Sequence, residues 1–321
     1  MSEAMSRRGL LKAGAGFAAA TAVAGVAGGR PALAEQGRFN LASPSYSILW
    51  QNKLHEVSGP QSFAFDNVNG HIYAIQVQWG NGTVERGDLV ITKMTLTGTE
   101  LGYMVLKGFG HGVSMAVEPV GNQAYMWTET DSQLYNGDGY GTAIARFPFQ
   151  NGRTLQAREV TDKYTPVPGA TIITPSIDPT LNRITVQYWR NGAKPYHYSV
   201  YNLADFKARR FDNPVYRFVE PQLGPADAVL QGWTTYREFL YVLDGNLLTG
   251  APGNTYITCV DMRTAQVVHR SFSQAGISLD RREAEGMAIQ LVNGTPRLCF
   301  GFGSGASGAR RLSVFYKDAW M

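Results

Sequence analysis

Residues 61–78 read QSFAFDNVNGHIYAIQVQ and decide the fold of this chain. Two short apolar runs flank Asn69-Gly70, and an Asn-Gly pair between such runs is a strong signal for a tight β-hairpin. Almost no segment between residues 57 and 305 has a helical period. Similar turn signals follow at Asn81-Gly82, Asn136-Gly137, Asn151-Gly152, Asn191-Gly192, Asp244-Gly245 and Asn293-Gly294. The pattern predicts an all-β chain.

The hairpin unit repeats five times. Its first strand reads QSFAFD (61–66), VSMAVE (113–118), ITPSID (173–178), QGWTTY (231–236) and EGMAIQ (285–290), at spacings of 52, 60, 58 and 54 residues. The second strands are predicted at 71–78, 123–128, 183–190, 238–243 and 296–302. One four-stranded blade per repeat gives a single β-propeller with five blades. A count of six or seven shorter blades and a two-domain β-sandwich remain alternatives.

The repeat also predicts the position of a site. The first strand of each blade lines the central channel of a propeller, so residues at one level of these strands should converge on its mouth. That level holds Gln61, Val113, Ile173, Gln231 and Glu285, of which three are polar. Residues 38–52 are expected to pair with 311–317 and close the ring.

The N-terminus has the character of an export signal. Arg7-Arg8 precedes an alanine-rich stretch, residues 13–27, and Ala32-Leu33-Ala34 has the form of a cleavage site. These features resemble a twin-arginine signal cleaved after Ala34, which predicts a secreted protein with a propeller domain at 35–321. The stretch is too short and too rich in alanine to span a bilayer stably, and no later segment is apolar enough.

Composition excludes several classes of protein. The chain has 321 residues, 44% of them hydrophobic, which excludes a disordered protein. Outside residues 1–34 there are 25 basic and 24 acidic residues, so a nucleic-acid or anionic-membrane partner is not expected. We expect a monomer. Cys259 and Cys299 form either one disulfide or two buried free thiols.

Five motifs resemble a known family. They are the first strand at 61–66, Gly110-His111-Gly112, Trp127-Thr128-Glu129, Gln231-Gly232 and Glu283 to Ala288. The sequence is similar to exported bacterial propellers known as teichoic acid biosynthesis protein C or helveticin J-like, over residues 45–318. The resemblance implies a propeller fold and a link to cell-wall polymers or to a bacteriocin. A looser likeness in architecture connects the chain to propeller polysaccharide lyases.

The favoured hypothesis is a secreted polysaccharide lyase that binds an anionic glycan at the channel mouth and cleaves it by β-elimination. His111 lies between two glycines and is the candidate general base. Tyr188 is the candidate acid, and Arg190 could clamp a uronate carboxylate, because strand alternation places both on one face of the third blade. Tyr188, Trp189 and Arg190 are alternatively packing and surface residues.

Two further hypotheses compete with the lyase. A noncatalytic protein that binds a glycan or wall polymer would use Gln61, Trp127, Glu129, Gln231, Glu283 and Glu285 as contacts. A glycoside hydrolase would need two of the carboxyl groups of Glu129, Glu283 and Glu285 facing each other. Aromatic residues at turns and strand ends suit sugar rings, and two or three of these are expected to line a glycan groove: Trp50, Trp79, Trp127, Trp189, Trp233, Tyr135 and Tyr140.

No cofactor is required by these hypotheses. Residues 131–139 contain several oxygen ligands, which leaves a structural calcium open. Their spacing does not match the EF-hand calcium loop.

Overall fold

A computed structural model describes residues 37–225, 228–246 and 253–321. The predicted signal segment, residues 1–34, lies outside the described residues. The propeller unit comprises residues 37–321. In this part of the chain we find no helix with the length and apolar character needed to cross a bilayer.

Short strands make up most of the structure. In the first half they are β1 (Tyr46–Asn52), β2 (Pro60–Asp66), β3 (His71–Val77), β4 (Leu89–Thr95), β5 (Glu100–Lys107), β6 (Ala116–Val120), β7 (Gln123–Thr130), β8 (Gln133–Tyr135), β9 (Asp138–Tyr140), β10 (Ala143–Pro148), β11 (Thr154–Gln156) and β12 (Lys163–Tyr164). In the second half they are β13 (Thr171–Asp178), β14 (Arg183–Arg190), β15 (Ala193–Asn202), β16 (Tyr216–Val219), β17 (Leu230–Tyr236), β18 (Phe239–Asp244), β19 (Tyr256–Asp261), β20 (Gln266–Phe272), β21 (Glu283–Val292), β22 (Thr295–Ser304) and β23 (Arg311–Lys317). The helices are short: α1 (Thr83–Arg86), α2 (Leu203–Lys207) and a 3-10 turn at Ala157–Glu159.

Five sheets form the blades. The blades are numbered here in chain order, and the strands of each blade are given from the innermost strand outward. Blade 1 is β2-β3-β4-β5 with β11 added in parallel; blade 2 is β6-β7-β10-β12; blade 3 is β13-β14-β15-β16; blade 4 is β17-β18-β19-β20; blade 5 is β21-β22-β23-β1. The five-bladed propeller is therefore confirmed. The second strand of each blade also lies where the repeat predicted it.

The first strand of the chain completes the last blade. β1 is antiparallel to β23, and Tyr46 is opposite Tyr316. The backbone N–H of Gln51 donates to Ser313 Oγ at 2.9 Å. The closure predicted for residues 38–52 is confirmed.

The core consists of five layers, one between each pair of neighbouring blades. Each layer takes its buried side chains from the facing sides of two sheets. Because both faces of every blade are covered in this way, the strands read as short apolar runs. Burial of these side chains is the main contribution to the stability of the ring.

The two cysteines are free and buried. Cys259 lies in the layer between blades 4 and 5, whereas Cys299 lies in the layer between blades 5 and 1. The two thiols therefore pack as small apolar groups, and burial raises the pKa of Cys259 to about 12.

Acidic residues at the ends of two inner strands cap the following turns. Asp66 Oδ1 accepts the backbone N–H groups of Val68 and Asn69, and Asp178 Oδ1 accepts those of Thr180 and Leu181. The acidic position of the repeat therefore has a structural role away from the channel mouth.

Candidate glycan site at the channel mouth

Four of the five inner strands carry a β-bulge at the same level. The pairing register breaks between Pro60 and Ser62 in β2, and at corresponding points of β13, β17 and β21. The additional residues at these breaks include Gln61, Ile172, Gln231 and Glu285. A bulge redirects a side chain out of the regular alternation. These bulges direct one side chain per blade toward the channel.

A cavity of about 290 Å³ lies at this end of the channel and is named here the mouth cavity. All five blades contribute to it, through Gln61, Val113, Ile172, Gln231 and Glu285. The predicted convergence occurs at four of the five positions, and Ile172 takes the place of Ile173. The volume is at the lower end of the range for small-molecule sites.

Four aromatic side chains form one side of the mouth cavity: Tyr135, Tyr140, Trp189 and Tyr196. We call them the aromatic wall. The ring of Tyr135 stands edge-on to Trp189 with centroids 5.2 Å apart, and Trp189 lies 5.5 Å from Tyr196. Tyr135 and Tyr140 lie 6.4 Å apart. Such a continuous set of rings provides apolar faces for the C–H groups of a sugar.

Polar groups complete the lining of the mouth cavity. Gln231 Nε2 donates to the Gly245 carbonyl at 3.1 Å, which leaves its Oε1 available. The carboxyl group of Glu285 has no hydrogen-bond partner among the described residues, although Glu285 is only 5% exposed. Asp138 and Lys194 add one negative and one positive charge. The cavity thus combines apolar rings with unused hydrogen-bonding groups.

Burial raises the pKa of Glu285 well above its ordinary value, and the nearby Glu283 carboxylate raises it further. A raised pKa means that the folded protein holds a proton that the unfolded chain releases. The stability from this proton is complete below the unfolded pKa of about 4.3 and is lost as pH rises toward the folded pKa. Burial therefore favours the protonated form of Glu285, and a protonated carboxyl group can donate a hydrogen bond.

Glu285→Gln is expected to remove this pH dependence, since glutamine is neutral throughout. The stability of the variant relative to the original chain should increase between about pH 5 and pH 8. Urea unfolding at several pH values measures this difference. A constant difference across the range would contradict a protonated Glu285.

His111 lies at the edge of the mouth cavity and is held by a buried carboxylate. Its ring stacks on Tyr140 with centroids 4.9 Å apart. Glu129 Oε1 accepts the backbone N–H groups of His111 at 3.0 Å and Gly112 at 2.7 Å, and Oε2 accepts that of Gly141 at 2.5 Å. Burial lowers the pKa of His111, against an opposing effect of Asp138. The imidazole is thus neutral near pH 7.

Glycines make room for the Glu129 carboxylate. A Cβ atom at Gly110 would lie 2.1 Å from Oε2, and one at Gly141 would lie 2.5 Å from the Cβ of Glu129. Burial raises the pKa of Glu129 to about 7, although its three backbone hydrogen bonds favour the charged form. The Gly-His-Gly motif and Glu129 are therefore one structural unit.

The structure corrects the positions expected for Tyr188 and Arg190. Tyr188 is completely buried between blades, and its hydroxyl is 3.1 Å from Ser199 Oγ. Arg190 is exposed at the end of β14, outside the mouth cavity. The pairing register breaks between these residues, and Trp189 lines the cavity instead. Tyr188 and Arg190 therefore do not join His111 there.

Three predicted contact residues also lie away from the mouth cavity. Trp127 has no exposed surface; its ring stacks on Tyr164, and its Nε1 donates to Glu118 at 3.0 Å. Glu129 is equally buried, so it positions the His111 loop rather than a ligand. Glu283 accepts a hydrogen bond of 2.6 Å from Arg310. Of the six predicted contacts, Gln61, Gln231 and Glu285 line the cavity.

Residues 131–139, discussed above for calcium, belong to a hairpin. β8 and β9 pair with each other, and Asp131 makes an ion pair of 2.5 Å with Lys163. Within the described ranges, no three His, Cys, Asp or Glu residues group as a metal site would require. The hairpin instead supplies Tyr135, Asn136, Asp138 and Tyr140 to the mouth cavity.

Among the polar and aromatic residues of the mouth cavity, sequence reasoning missed four: Asn136, Asp138, Lys194 and Tyr196. The Asn136-Gly137 turn signal in the sequence could have indicated Asn136 and Asp138. Tyr135, Tyr140 and Trp189 are among the aromatic residues that the sequence places at turns and strand ends, and all three line the cavity. The expectation that two or three of these aromatic residues line a groove fits this arrangement.

The opposite end of the channel is more apolar than the mouth cavity. A cavity of about 290 Å³ is lined there mainly by apolar side chains, including Met115, Val117, Ile177, Met287 and Ile289. Its hydrogen-bonding groups are largely paired; Asn67, for example, bonds the backbone of Ile289 and Leu291. The mouth cavity is therefore the better candidate for binding a polar ligand.

The chain is similar to proteins of bacteria and of their phages. It is 26% identical over 290 residues to a Bacillus subtilis (strain 168) protein named "Putative major teichoic acid biosynthesis protein C". The alignment covers 87% of this chain and 63% of that protein. The predicted resemblance to teichoic acid biosynthesis protein C is confirmed.

One of two similar solved structures shares the fold of this chain. The tail fiber of Staphylococcus aureus phage P68 matches with a TM-score of 0.69 and 20% identity, over 86% of this chain and 52% of that one. A GH43_1 enzyme from Xanthomonas citri matches with a TM-score of 0.49 and 9% identity, over 85% and 90% of the two chains. Only the first likeness is close enough to support the fold.

A family model for the phage 5-bladed beta propeller receptor binding platform domain matches residues 60–316. The match begins at the first residue of β2 and ends within β23, so it includes every strand of the ring except β1. The chain belongs to this family of five-bladed receptor-binding propellers.

Proposed function

We propose that this protein is an exported, noncatalytic propeller that binds a sugar of a bacterial cell-wall polymer in the mouth cavity. The observation that carries the proposal is a cavity lined by the aromatic wall together with Gln61, the free Oε1 of Gln231 and the carboxyl group of Glu285. Receptor binding in the family's description and teichoic acid in the relative's name support this ligand class. Export by the twin-arginine route, with cleavage after Ala34, is part of the proposal.

The charge of the mouth cavity favours an uncharged sugar over a phosphate group. Asp138 and Lys194 carry opposite charges, and burial raises the pKa of Glu285, which favours its neutral form. A polyanion site would need several cationic side chains. The proposed contact is therefore with the sugar units of the polymer.

Calorimetric titration with wall teichoic acid and peptidoglycan purified from Bacillus subtilis tests the proposal. Tyr135→Ala removes one ring of the aromatic wall and should weaken binding about tenfold. Trp50→Ala is the matched control, because Trp50 is an aromatic side chain 51% exposed on the outermost strand of blade 5. Its affinity should stay within about twofold of the original.

Three outcomes would overturn the proposal. One is the absence of binding to either polymer, and another is equal affinity of the Tyr135→Ala variant and the original chain. The third is the release of unsaturated uronates, detected by their ultraviolet absorbance, that disappears in His111→Ala. That result would establish a lyase with His111 as its base, without the predicted contributions of Tyr188 and Arg190.

A further inference from the structure

A second cavity, of about 550 Å³, adjoins the mouth cavity. We name it the side cavity. It lies between blades 3 and 4 and shares Lys194, Tyr196 and Leu230 with the mouth cavity. Because Tyr196 belongs to both linings, a ligand that leaves the mouth cavity past this ring enters the side cavity directly.

Glu220 is the principal polar group of the side cavity. Its Oε1 accepts a hydrogen bond of 2.7 Å from the hydroxyl of Tyr198. The described residues provide no second side-chain donor to this carboxyl group. Burial raises the pKa of Glu220 to about 7. A partly buried carboxyl group with unused acceptor capacity gains from donors that a ligand brings.

The other charges of the side cavity are already compensated or exposed. Arg270 binds Asp244 in a bidentate manner, with distances of 2.6 and 2.9 Å. Lys194 is exposed at the boundary between the two cavities. Apolar surface comes from Pro221, Leu223, Leu230 and Val242. The side cavity therefore repeats the combination of apolar surface and hydrogen-bonding groups found in the mouth cavity.

We propose that the two cavities bind consecutive sugars of one glycan chain. One sugar lies against the aromatic wall, and the next passes Tyr196 into the side cavity, where its hydroxyl groups donate to Glu220. The inference rests on the proposed function and adds that the ligand is an oligosaccharide rather than a single sugar. Two observations support the inference: the two cavities are adjacent, and the carboxyl group of Glu220 has unused acceptor capacity.

The test compares single sugars of the two Bacillus subtilis wall polymers with tetrasaccharides released from peptidoglycan, in which consecutive sugars are joined directly. The original chain should bind tetrasaccharides at least about tenfold more tightly than single sugars, since added contacts increase affinity. Glu220→Gln should weaken tetrasaccharide binding about fivefold and leave single-sugar binding unchanged. Glu238→Gln is the matched control, because this carboxyl group lies in the turn between β17 and β18.

A second variant keeps the inference testable if Glu220→Gln does not fold. Gln222 is exposed and lines the side cavity, so Gln222→Trp fills the cavity without touching the core. It should also weaken binding of tetrasaccharides alone. Equal affinities for single sugars and tetrasaccharides in the original chain would overturn the inference and leave the proposed function standing. Absence of binding by both would overturn the proposed function, and the inference with it.

Discussion

Gly286→Ala is expected to lower the free energy of unfolding by about 3 kcal/mol or more. Gly286 has a φ of +71°, a conformation that side chains with a Cβ atom rarely adopt. In addition, its Cβ would lie 2.6 Å from the Cα of Ser62 in the inner strand of blade 1. The obstacle is backbone, so a rotamer change cannot relieve the overlap, and the two blades would have to separate.

Gly294→Ala separates the cost of the positive φ from the cost of the overlap with a neighbouring blade. Gly294 has a φ of +79° and no neighbouring atom within 4 Å of the added Cβ. This variant should lose only about 1 kcal/mol, the cost of the conformation itself. Denaturant unfolding of both variants gives the comparison. Equal losses would mean that blades 1 and 5 do not approach as closely at the channel as the structure shows.

Glu129→Gln is expected to cost about 3 kcal/mol and to weaken glycan binding at least about tenfold. Glutamine can still accept from His111 and Gly112, but its amide N–H groups would then point at the N–H of Gly141. One buried donor loses its acceptor and meets another donor. The segment that carries Tyr140 and Gly141 would shift away from His111.

Unfolding and calorimetric titration measure the two effects of Glu129→Gln. The control is Glu100→Gln, which removes a surface carboxylate paired with His55 and should change stability by less than about 1 kcal/mol. Unchanged stability with lost binding would instead place Glu129 in contact with the ligand. Loss of both is the result expected for a positioning residue.

The sequence predicted the ring more completely than the site. Turn signals and alternating runs are local properties, and they located the inner strands, the second strands and the closing segment. Gln61, Gln231 and Glu285 were found because they occupy one level of the repeat. Strand alternation failed at Trp189, because the register breaks between Tyr188 and Arg190 and such breaks have no signature in the sequence.

The burial of Glu129 could not be predicted from the sequence either. A glutamate beside a tryptophan on a strand resembles a sugar-binding pair. Its role depends on Gly110 and Gly141, which leave space for the carboxylate only after blade 2 has folded. The contribution of the β8–β9 hairpin likewise depends on where that insertion packs against blade 3.

The pairing of β1 with β23 also bears on the order of events during synthesis. Gln51 and Ser313, which meet in the last blade, are separated by 262 residues. Blades 1 to 4 can form in sequence as the chain leaves the ribosome. Blade 5 requires both ends of the domain, and contacts of such long separation form slowly. Assembly of the ring is therefore completed only after residues 311–317 have been synthesised, and the mouth cavity, to which blade 5 contributes Glu285, is completed with it.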